Sequence, residues 1–311
     1  MSHPILGSSC RRSPLLLLLP VVGLLGLTAC GSGTPASSAA SNASTPASNA
    51  APLFKTLPDN IQKAGTIQIG ASVDYPPFEY YAADGKTLQG FETELATLVE
   101  KQLGVTFTWH SVSFDTLFTA LKSGRYDMVY GAVNDTAERE QTFDFVDYLQ
   151  SAQGFDVAKG NPQGIKTLDD LCGKSIAAVR GGVQAKFLDT QSGVCTSAGK
   201  KAINVLTFLG NAQEQLAVKQ GQAAALLEGY PTAVTFAKES GGGLELVPGL
   251  QVAKAFYGMV LPKSSTQLAG SLTKAWQAII DDGSYGKVLD KWNLSDIAVK
   301  TASVNAVKAG G

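Results

Sequence analysis

Apolar positions in residues 66–133 recur with spacings that predict alternating strands and helices. Short runs rich in β-branched residues indicate strands, and apolar residues spaced three or four apart, followed by glycine, indicate helices that end there. In chain order the prediction is a strand at 66–70, a helix at 91–103 ended by Gly104, a strand at 105–112, a helix at 114–121 ended by Gly124, and a strand at 126–133.

The second half of the chain repeats this alternation. The predicted elements are strands at 176–179, 203–209 and 223–227, a short helix after Gly181-Gly182 and a helix at 211–220. After residues 256–262 comes the pattern of a long amphipathic helix that ends at Trp292. Residues 295–311 have little periodicity and are expected to form a loose tail. The alternation predicts an α/β protein with mostly parallel sheets, and the number of units favours two lobes.

The segment GAVNDTAERE, residues 131–140, raises a question about Arg139. Asp135 and Glu138 have the spacing of a capping box, which predicts a helix start and places Arg139 in the first turn. The helix dipole favours acidic residues there, so a guanidinium is unfavourable unless it has a partner. An anionic ligand is one such partner. A pairing with Glu138 or Glu140 on a solvated face is the alternative.

Composition narrows the class of protein. The chain has 311 residues, 44% of them hydrophobic and 16% charged, with a formal net charge of -1. A chain of this length can bury a large core. It lacks the basic surplus that nucleic acids require, so we expect no nucleic-acid partner.

The first residues have the features of an export signal. Arg11 and Arg12 precede an apolar run at 14–27, which is too short to cross a bilayer. The run ends in LTAC, which resembles a bacterial lipobox, so residues 1–29 are predicted to be a signal peptide and Cys30 to be lipidated. An ordinary signal with an incidental cysteine is the alternative. Residues 30–56 would then tether an extracytoplasmic body to the membrane.

The remaining cysteines predict a disulfide. Cys10 leaves with the signal and Cys30 would carry lipid, which leaves Cys172 and Cys195 in an oxidising compartment. Two free buried thiols are the alternative. The only histidines are His3 and His110, so we expect no metal site, and no motif indicates a cofactor.

Several motifs together resemble the family 3 extracellular solute-binding proteins of ABC-type amino-acid importers, over residues 57–294. The matching stretches are DYPPFE at 74–79, GFE at 90–92, ALKSGRYD at 120–127, DTAERE at 135–140, LCGK at 171–174, YGMVLPK at 257–263 and DGSYGKVLDKW at 282–292.

This resemblance implies a two-lobed α/β periplasmic-binding-protein fold of type II. Its ligand cleft would lie between lobes joined by two hinge strands, with lobe 1 at 57–152 and 257–294 and lobe 2 at 153–256. It also implies a monomer that binds an amino acid or a derivative and delivers it to an ABC permease.

The resemblance also assigns candidate binding residues in the first lobe. Arg139 matches the arginine that grips the ligand's α-carboxylate. Tyr75 and Phe114 match aromatic residues that enclose its aliphatic part, and Phe78 is expected to be core. Ala132 and Asn134 match positions that often carry Ser or Thr, so the backbone of Ala132 would replace a missing hydroxyl.

Three further candidates lie in the second lobe. Gly182 and Val183 match a segment that presents backbone N–H groups and hydroxyls to a carboxylate, although the hydroxyls are absent here. Glu228 is the expected partner of the ligand's ammonium group, with the register open because Gly229 also aligns with that position.

Two other functions stay open on the sequence alone. Dehydratases that act on prephenate or arogenate resemble the same family, but they need a positioned acid or base, and His110 is the only histidine of the mature chain. A sensing or adhesion module without transport is the second alternative. The sequence does not name the ligand.

Overall fold

The computed structural model describes residues 49–307, so the predicted signal peptide, Cys30 and most of the tether lie outside the described residues. The α-helices in this range are α1 (Asp59–Ala64), α2 (Phe91–Leu103), α3 (Phe114–Lys122), α4 (Val183–Ser197), α5 (Asn211–Lys219), α6 (Tyr230–Glu239), α7 (Thr266–Asp281) and α8 (Ser284–Lys291). The strands are β1 (Thr66–Ala71), β2 (Asp74–Tyr75), β3 (Glu79–Tyr81), β4 (Leu88–Gln89), β5 (Thr106–Ser111), β6 (Met128–Val129), β7 (Phe143–Ala158), β8 (Ser175–Val179), β9 (Asn204–Phe208), β10 (Ala225–Gly229), β11 (Leu244–Pro262) and β12 (Ala298–Val304).

Two long antiparallel strands, β7 and β11, connect the two halves of the main sheet. Its strand order is β5-β1-β6-β11-β7-β10-β8-β9, with β12 also paired to β7, while β2, β3 and β4 form a separate small sheet. Pairs β1–β5, β1–β6, β8–β10 and β8–β9 are parallel, and every pair that includes β7 or β11 is antiparallel. The sheet is therefore mixed, and the prediction of mostly parallel sheets is wrong.

The buried apolar side chains form separate clusters on either side of these long strands. The largest cluster draws its members from residues 54–149 and 257–302, and the next from 155–247. Each half of the sheet is thus covered by its own helices. Burial of apolar side chains, at about 1.5–3 kcal/mol for each large one, stabilises each half on its own.

Helix α2 shows how the apolar pattern sets the local structure. Its predicted bounds, Phe91–Leu103, are confirmed, and its apolar residues at every third or fourth position are buried. Gly104 ends the helix in a left-handed conformation with φ 69°, and its N–H donates to the Glu100 carbonyl. A residue with a Cβ would be strained at that φ, which is why glycine ends the helix there.

Three predicted elements differ from the structure. The long helix ending at Trp292 is interrupted after Asp281, where Gly283 adopts φ 76° and a new helix begins. The strand at 126–133 contains only the two residues of β6. The short helix after Gly182 is α4, which has 15 residues.

Residues 295–307 are ordered, so the prediction of a loose tail is wrong for this stretch. Strand β12 pairs antiparallel with β7, and Ile297, Ala302 and Ala306 are buried. The Tyr285 hydroxyl donates to the Tyr148 carbonyl at 2.7 Å and accepts the Val299 N–H at 3.1 Å. These contacts were missed because they join residues far apart in the chain.

The predicted disulfide is confirmed. Cys172 and Cys195 are bonded, with 23 residues of sequence separation, and they connect the loop before β8 to the last turns of α4. None of the helices in residues 49–307 is long and apolar enough to cross a membrane.

Asp147 on β7 lies under the ordered tail, where it is 1% exposed and accepts the Ala306 N–H at 3.0 Å. Burial raises the pKa of Asp147 to about 7, from an ordinary value of 3.8. Between about pH 4 and pH 7, Asp147 therefore keeps its proton in the native chain and has lost it in the unfolded chain. This contribution to stability is complete below about pH 4 and is lost as pH rises through 7.

We expect Asp147→Asn to remove this loss. In the unsubstituted protein, Asp147 should lower the free energy of unfolding by about 2 kcal/mol between pH 5 and pH 7, because each pH unit contributes about 1.4 kcal/mol. The variant lacks this decrease, so its free energy of unfolding minus that of the unsubstituted protein should rise by the same amount over this range. Urea unfolding at the two pH values measures the difference. The exposed Asp189→Asn serves as a control that should show no such change. An equal effect of Asp147→Asn at both pH values would contradict the assignment.

Candidate functional site

A cleft lies where residues from both halves of the sheet meet. Its inner part is lined by residues of β2, β3, α3 and the loop at 131–134 from one half, and by residues of β8, α4, α5 and β10 from the other. This inner cavity encloses about 440 Å³, and a wider opening of about 1380 Å³ shares Gly182 with it, both volumes including space open to solvent.

Arg139 lies in the wider opening, against aromatic rings. Its Nη1 donates to the Asn134 carbonyl at 2.8 Å, its Nη2 donates to the Gly181 carbonyl at 3.2 Å, and its guanidinium carbon is 4.7 Å from the centroid of Phe118. Burial lowers the pKa of Arg139 to about 10, so the side chain stays charged at neutral pH. Carbonyl groups and rings contact this charge at the cleft, and Glu138 and Asp135 favour it through longer-range attraction.

The expected surroundings of Arg139 are partly wrong. Residues 135–139 form no α-helix start, because only a single 3₁₀ turn, Arg139–Gln141, precedes β7. The alternative of a solvated pairing with neighbouring acids also fails, because Glu138 binds Lys186 of α4 and Glu140 is fully buried.

The helix end that faces this region is instead the start of α4. Gly182 is its N-cap and makes no side-chain cap, and Val183 begins the helix beside Arg139 in the wider opening. A Cβ on Gly182 would lie 3.1 Å from the Val179 carbonyl oxygen, so glycine allows this close turn. The first N–H groups of a 15-residue helix and a guanidinium together favour an anion at this end of the cleft.

The inner cavity is acidic. Glu228 is 1% exposed and accepts a hydrogen bond from the Tyr75 hydroxyl at 2.6 Å, and that hydroxyl accepts the Gly229 N–H at 3.0 Å. Burial raises the pKa of Glu228, as it does that of its neighbour Glu214. Two neighbouring buried carboxyl groups are stable when they share a proton or when a cation arrives.

Glu228 and Gly229, between which the register was left open, lie in different surroundings. Glu228 lines the cavity, whereas a Cβ on Gly229 would lie 2.8 Å from the hydroxyl oxygens of both Tyr75 and Tyr257. Glycine at 229 therefore lets the two tyrosines approach, and the acidic side chain comes from the preceding residue.

The other predicted residues also lie at the cleft. Phe114 opens α3 at the cavity wall, with its ring centroid 5.7 Å from the Arg139 guanidinium carbon. The N–H of Ala132 donates to the Glu92 carboxylate at 3.2 Å, so only its carbonyl can serve a ligand. The Nδ2 atom of Asn134 is buried and has no hydrogen-bond partner in residues 49–307. Phe78 is core, as expected, with no exposed surface.

The residues that line the inner cavity without having been predicted include Asp74, Glu79, Gln184 and Asn211. Gln184 donates from Nε2 to the Gln153 side-chain oxygen on β7 at 2.8 Å, and the Asn211 N–H lies 3.4 Å from Asp74. Asp74 and Glu79 belong to the DYPPFE motif, so the motif indicated that this segment is near the site. Only the folded chain shows which of its side chains face the cavity. His110 does not line it and contacts Gln68 instead.

Comparison with known proteins identifies the class. The chain is 26% identical over 250 residues to the arginine-binding protein ArgT of Corynebacterium glutamicum, covering 80% of this chain and 81% of that one. It is 26% identical over 288 residues to the L-cystine-binding protein TcyA of Bacillus subtilis, covering 92% and 99%. The crystal structure of an ancestral amino-acid-binding protein, a precursor of cyclohexadienyl dehydratase, superposes with a TM-score of 0.67 at 26% identity, covering 75% and 98%.

These neighbours confirm the predicted two-lobed α/β fold of a substrate-binding protein. Residues 67–295 match the model of the bacterial extracellular solute-binding proteins, family 3, and the chain belongs to that family.

Proposed function

We propose that the protein is the substrate-binding component of an ABC importer and that it captures an α-amino acid. The separation of charge along the cleft carries this proposal: Arg139 and the start of α4 lie at one end, and Glu228 lies toward the other. A carboxylate fits the first end and an ammonium group the second. Its relatives include proteins named for binding arginine and cystine, which supports the ligand class.

The contacts across the cleft support capture by closure. Tyr75 binds Glu228, Arg139 binds the Gly181 carbonyl and Glu138 binds Lys186, each pair joining residues from opposite sides. We propose that lobe 1 (57–152 and 257–294) and lobe 2 (153–256) move about β7 and β11. The separate apolar clusters support these bounds. A ligand would favour the closed state through contacts that the open state lacks.

We further propose that Cys30 carries a lipid, that the tether holds the monomeric protein outside the cytoplasmic membrane, and that a permease receives the ligand. Membership of an extracellular solute-binding family supports an extracytoplasmic location. The lipobox-like LTAC and the Ser/Ala/Pro-rich stretch after it support the anchor.

Titration calorimetry of the purified protein tests the ligand class. We expect at least one of the twenty amino acids to bind, and its α-amide, which lacks the carboxylate, to bind at least tenfold more weakly. Equal binding of the acid and the amide would show that Arg139 and the start of α4 do not bind the ligand's carboxylate. Failure of every amino acid to bind would contradict the proposal as a whole.

We infer that the cleft binds its ligand without chemical turnover. The relatives named above are binding proteins, including the precursor of a dehydratase. The only described histidine lies away from the cavity. Incubation with prephenate or arogenate should give no aromatic product, and formation of one at a catalytic rate would overturn the inference.

A further inference from the structure

The cleft brings acidic side chains from the two proposed lobes together. Asp74 of β2 belongs to lobe 1, whereas Glu214 of α5 and Glu228 of β10 belong to lobe 2. The Oδ2 atom of Asp74 lies 3.4 Å from the Asn211 N–H at the start of α5. Burial raises the pKa of Glu214 and of Glu228, and the negative charge of Asp74 raises both further. Closure therefore brings a third carboxyl group toward two that are already close together.

Glu214 cannot keep a negative charge at this position without a cation beside it. It has no exposed surface, and no N–H or O–H group of residues 49–307 donates to either of its carboxyl oxygens. Its neighbour Glu228 is 1% exposed and accepts the Tyr75 hydroxyl. Because burying two like charges is strongly unfavourable, the pair keeps a proton, which Glu214 shares with Glu228.

The surroundings of Glu228 supply no base that would replace this proton. The titratable groups that face it are all acidic or phenolic: Asp74 and Tyr75 of β2, Asp156 of β7, Glu214 of α5 and Tyr257 of β11. Among residues 49–307, none that lines the inner cavity is Lys, Arg or His. A proton from solvent or the ammonium group of a ligand must therefore neutralise the pair when the cleft is closed.

We propose that Asp74, Glu214 and Glu228 form an electrostatic gate, which keeps the cleft open until a proton or a ligand's ammonium group neutralises it. The gate rests on the hinge motion of the proposed function. In the open form, water solvates Glu228 and separates it from Asp74, so the pair loses its proton more easily. The closed form then indicates that a ligand has been captured.

The gate makes closure of the unliganded protein dependent on pH. Carboxyl groups whose pKa is higher in the closed form take up a proton when the lobes close. Closure is therefore favoured at low pH and becomes less favourable as pH rises from the ordinary range of a carboxyl group toward the raised pKa. While closure takes up one proton, the ratio of closed to open molecules should fall about tenfold for each pH unit.

Small-angle X-ray scattering of the unliganded protein tests the gate, because the radius of gyration increases when the lobes separate. We expect a larger radius at pH 8 than at pH 5.5. Glu214→Gln removes the carboxyl group that needs the proton, and Asp74→Asn removes the charge that approaches on closure. Both variants should be more compact at pH 8 than the unsubstituted protein.

Two features of the chain keep this test decisive. Asp74 is exposed, so Asp74→Asn should fold and decides the matter by itself if Glu214→Gln does not fold. Asp169→Asn is the matched control, because it removes an exposed carboxylate of lobe 2 that pairs with Lys200 and does not line the cleft. This control should open with pH as the unsubstituted protein does.

A radius that is the same at both pH values would overturn the gate. It would also be overturned if Asp74→Asn were as open at pH 8 as the unsubstituted protein. Neither result affects the amino-acid titrations, which need no particular pH dependence of the unliganded form. Failure of every amino acid to bind would instead overturn the proposed function.

Discussion

Arg139→Ala is expected to weaken amino-acid binding by about 30-fold or more. The substitution leaves the ligand's carboxylate buried beside Phe114 and Phe118 without its cation, and an unpaired buried charge costs about 2–5 kcal/mol. The first N–H groups of α4 would remain, so binding should be weakened and not abolished. Calorimetry with the best ligand of the amino-acid panel measures the change.

Arg125→Ala provides the matched control, because it also removes one arginine that stacks on an aromatic ring. The Arg125 guanidinium carbon lies 5.5 Å from the Tyr126 centroid, and neither residue lines the cleft. Its affinity should stay within about threefold of the unsubstituted protein. If Arg139→Ala bound as tightly as this control, the carboxylate would have to bind elsewhere.

Replacement of both Cys172 and Cys195 by Ser is expected to lower the free energy of unfolding by about 3 kcal/mol. The bridge closes a loop with a sequence separation of 23, and in the chain-entropy model a loop of this size restricts the unfolded chain by that amount. Urea unfolding under oxidising conditions measures the loss.

Two comparisons sharpen this test. Reduction of the unsubstituted protein should reproduce the behaviour of the double variant, because both lack the same covalent bond. Val194→Ser changes an exposed position of α4 next to Cys195 and should alter stability by less than about 1 kcal/mol. A double variant as stable as the oxidised protein would show that the loop is already restricted by its packing.

The apolar pattern alone was enough to locate the amphipathic helices, because α2 and α3 each bury one side that recurs at the helical period. The same method predicted no strand over β7 or β11. Nearly every side chain of β7 is buried, including Asp147, Gln153 and Asp156, so its sequence lacks the alternation of a strand with one solvated face. Strands that cross between two halves of a protein break the pattern on which strand prediction depends.

The site was predicted in outline by motif resemblance and not by local physics. The capping pattern of Asp135 and Glu138 failed because the backbone N–H of Asp135 donates to the Phe256 carbonyl, which holds the segment extended against β11. Glu228 and Gly229 could be separated only after folding brought Tyr75 and Tyr257 beside them. The acidic pair of Glu214 and Glu228 joins two different elements, α5 and β10, so neither element's own pattern could reveal it.

The ordered C-terminal strand has a practical consequence for anyone who shortens or tags the chain. Strand β12 covers Val146, Asp147 and Leu149 of β7 by backbone pairing. Deletion after residue 297 would expose a row of unsatisfied amide and carbonyl groups, a template on which other molecules can add strands and aggregate. Affinity tags are therefore better attached through a spacer beyond residue 307. A truncated protein that loses soluble yield would do so because the edge of β7 is left unpaired.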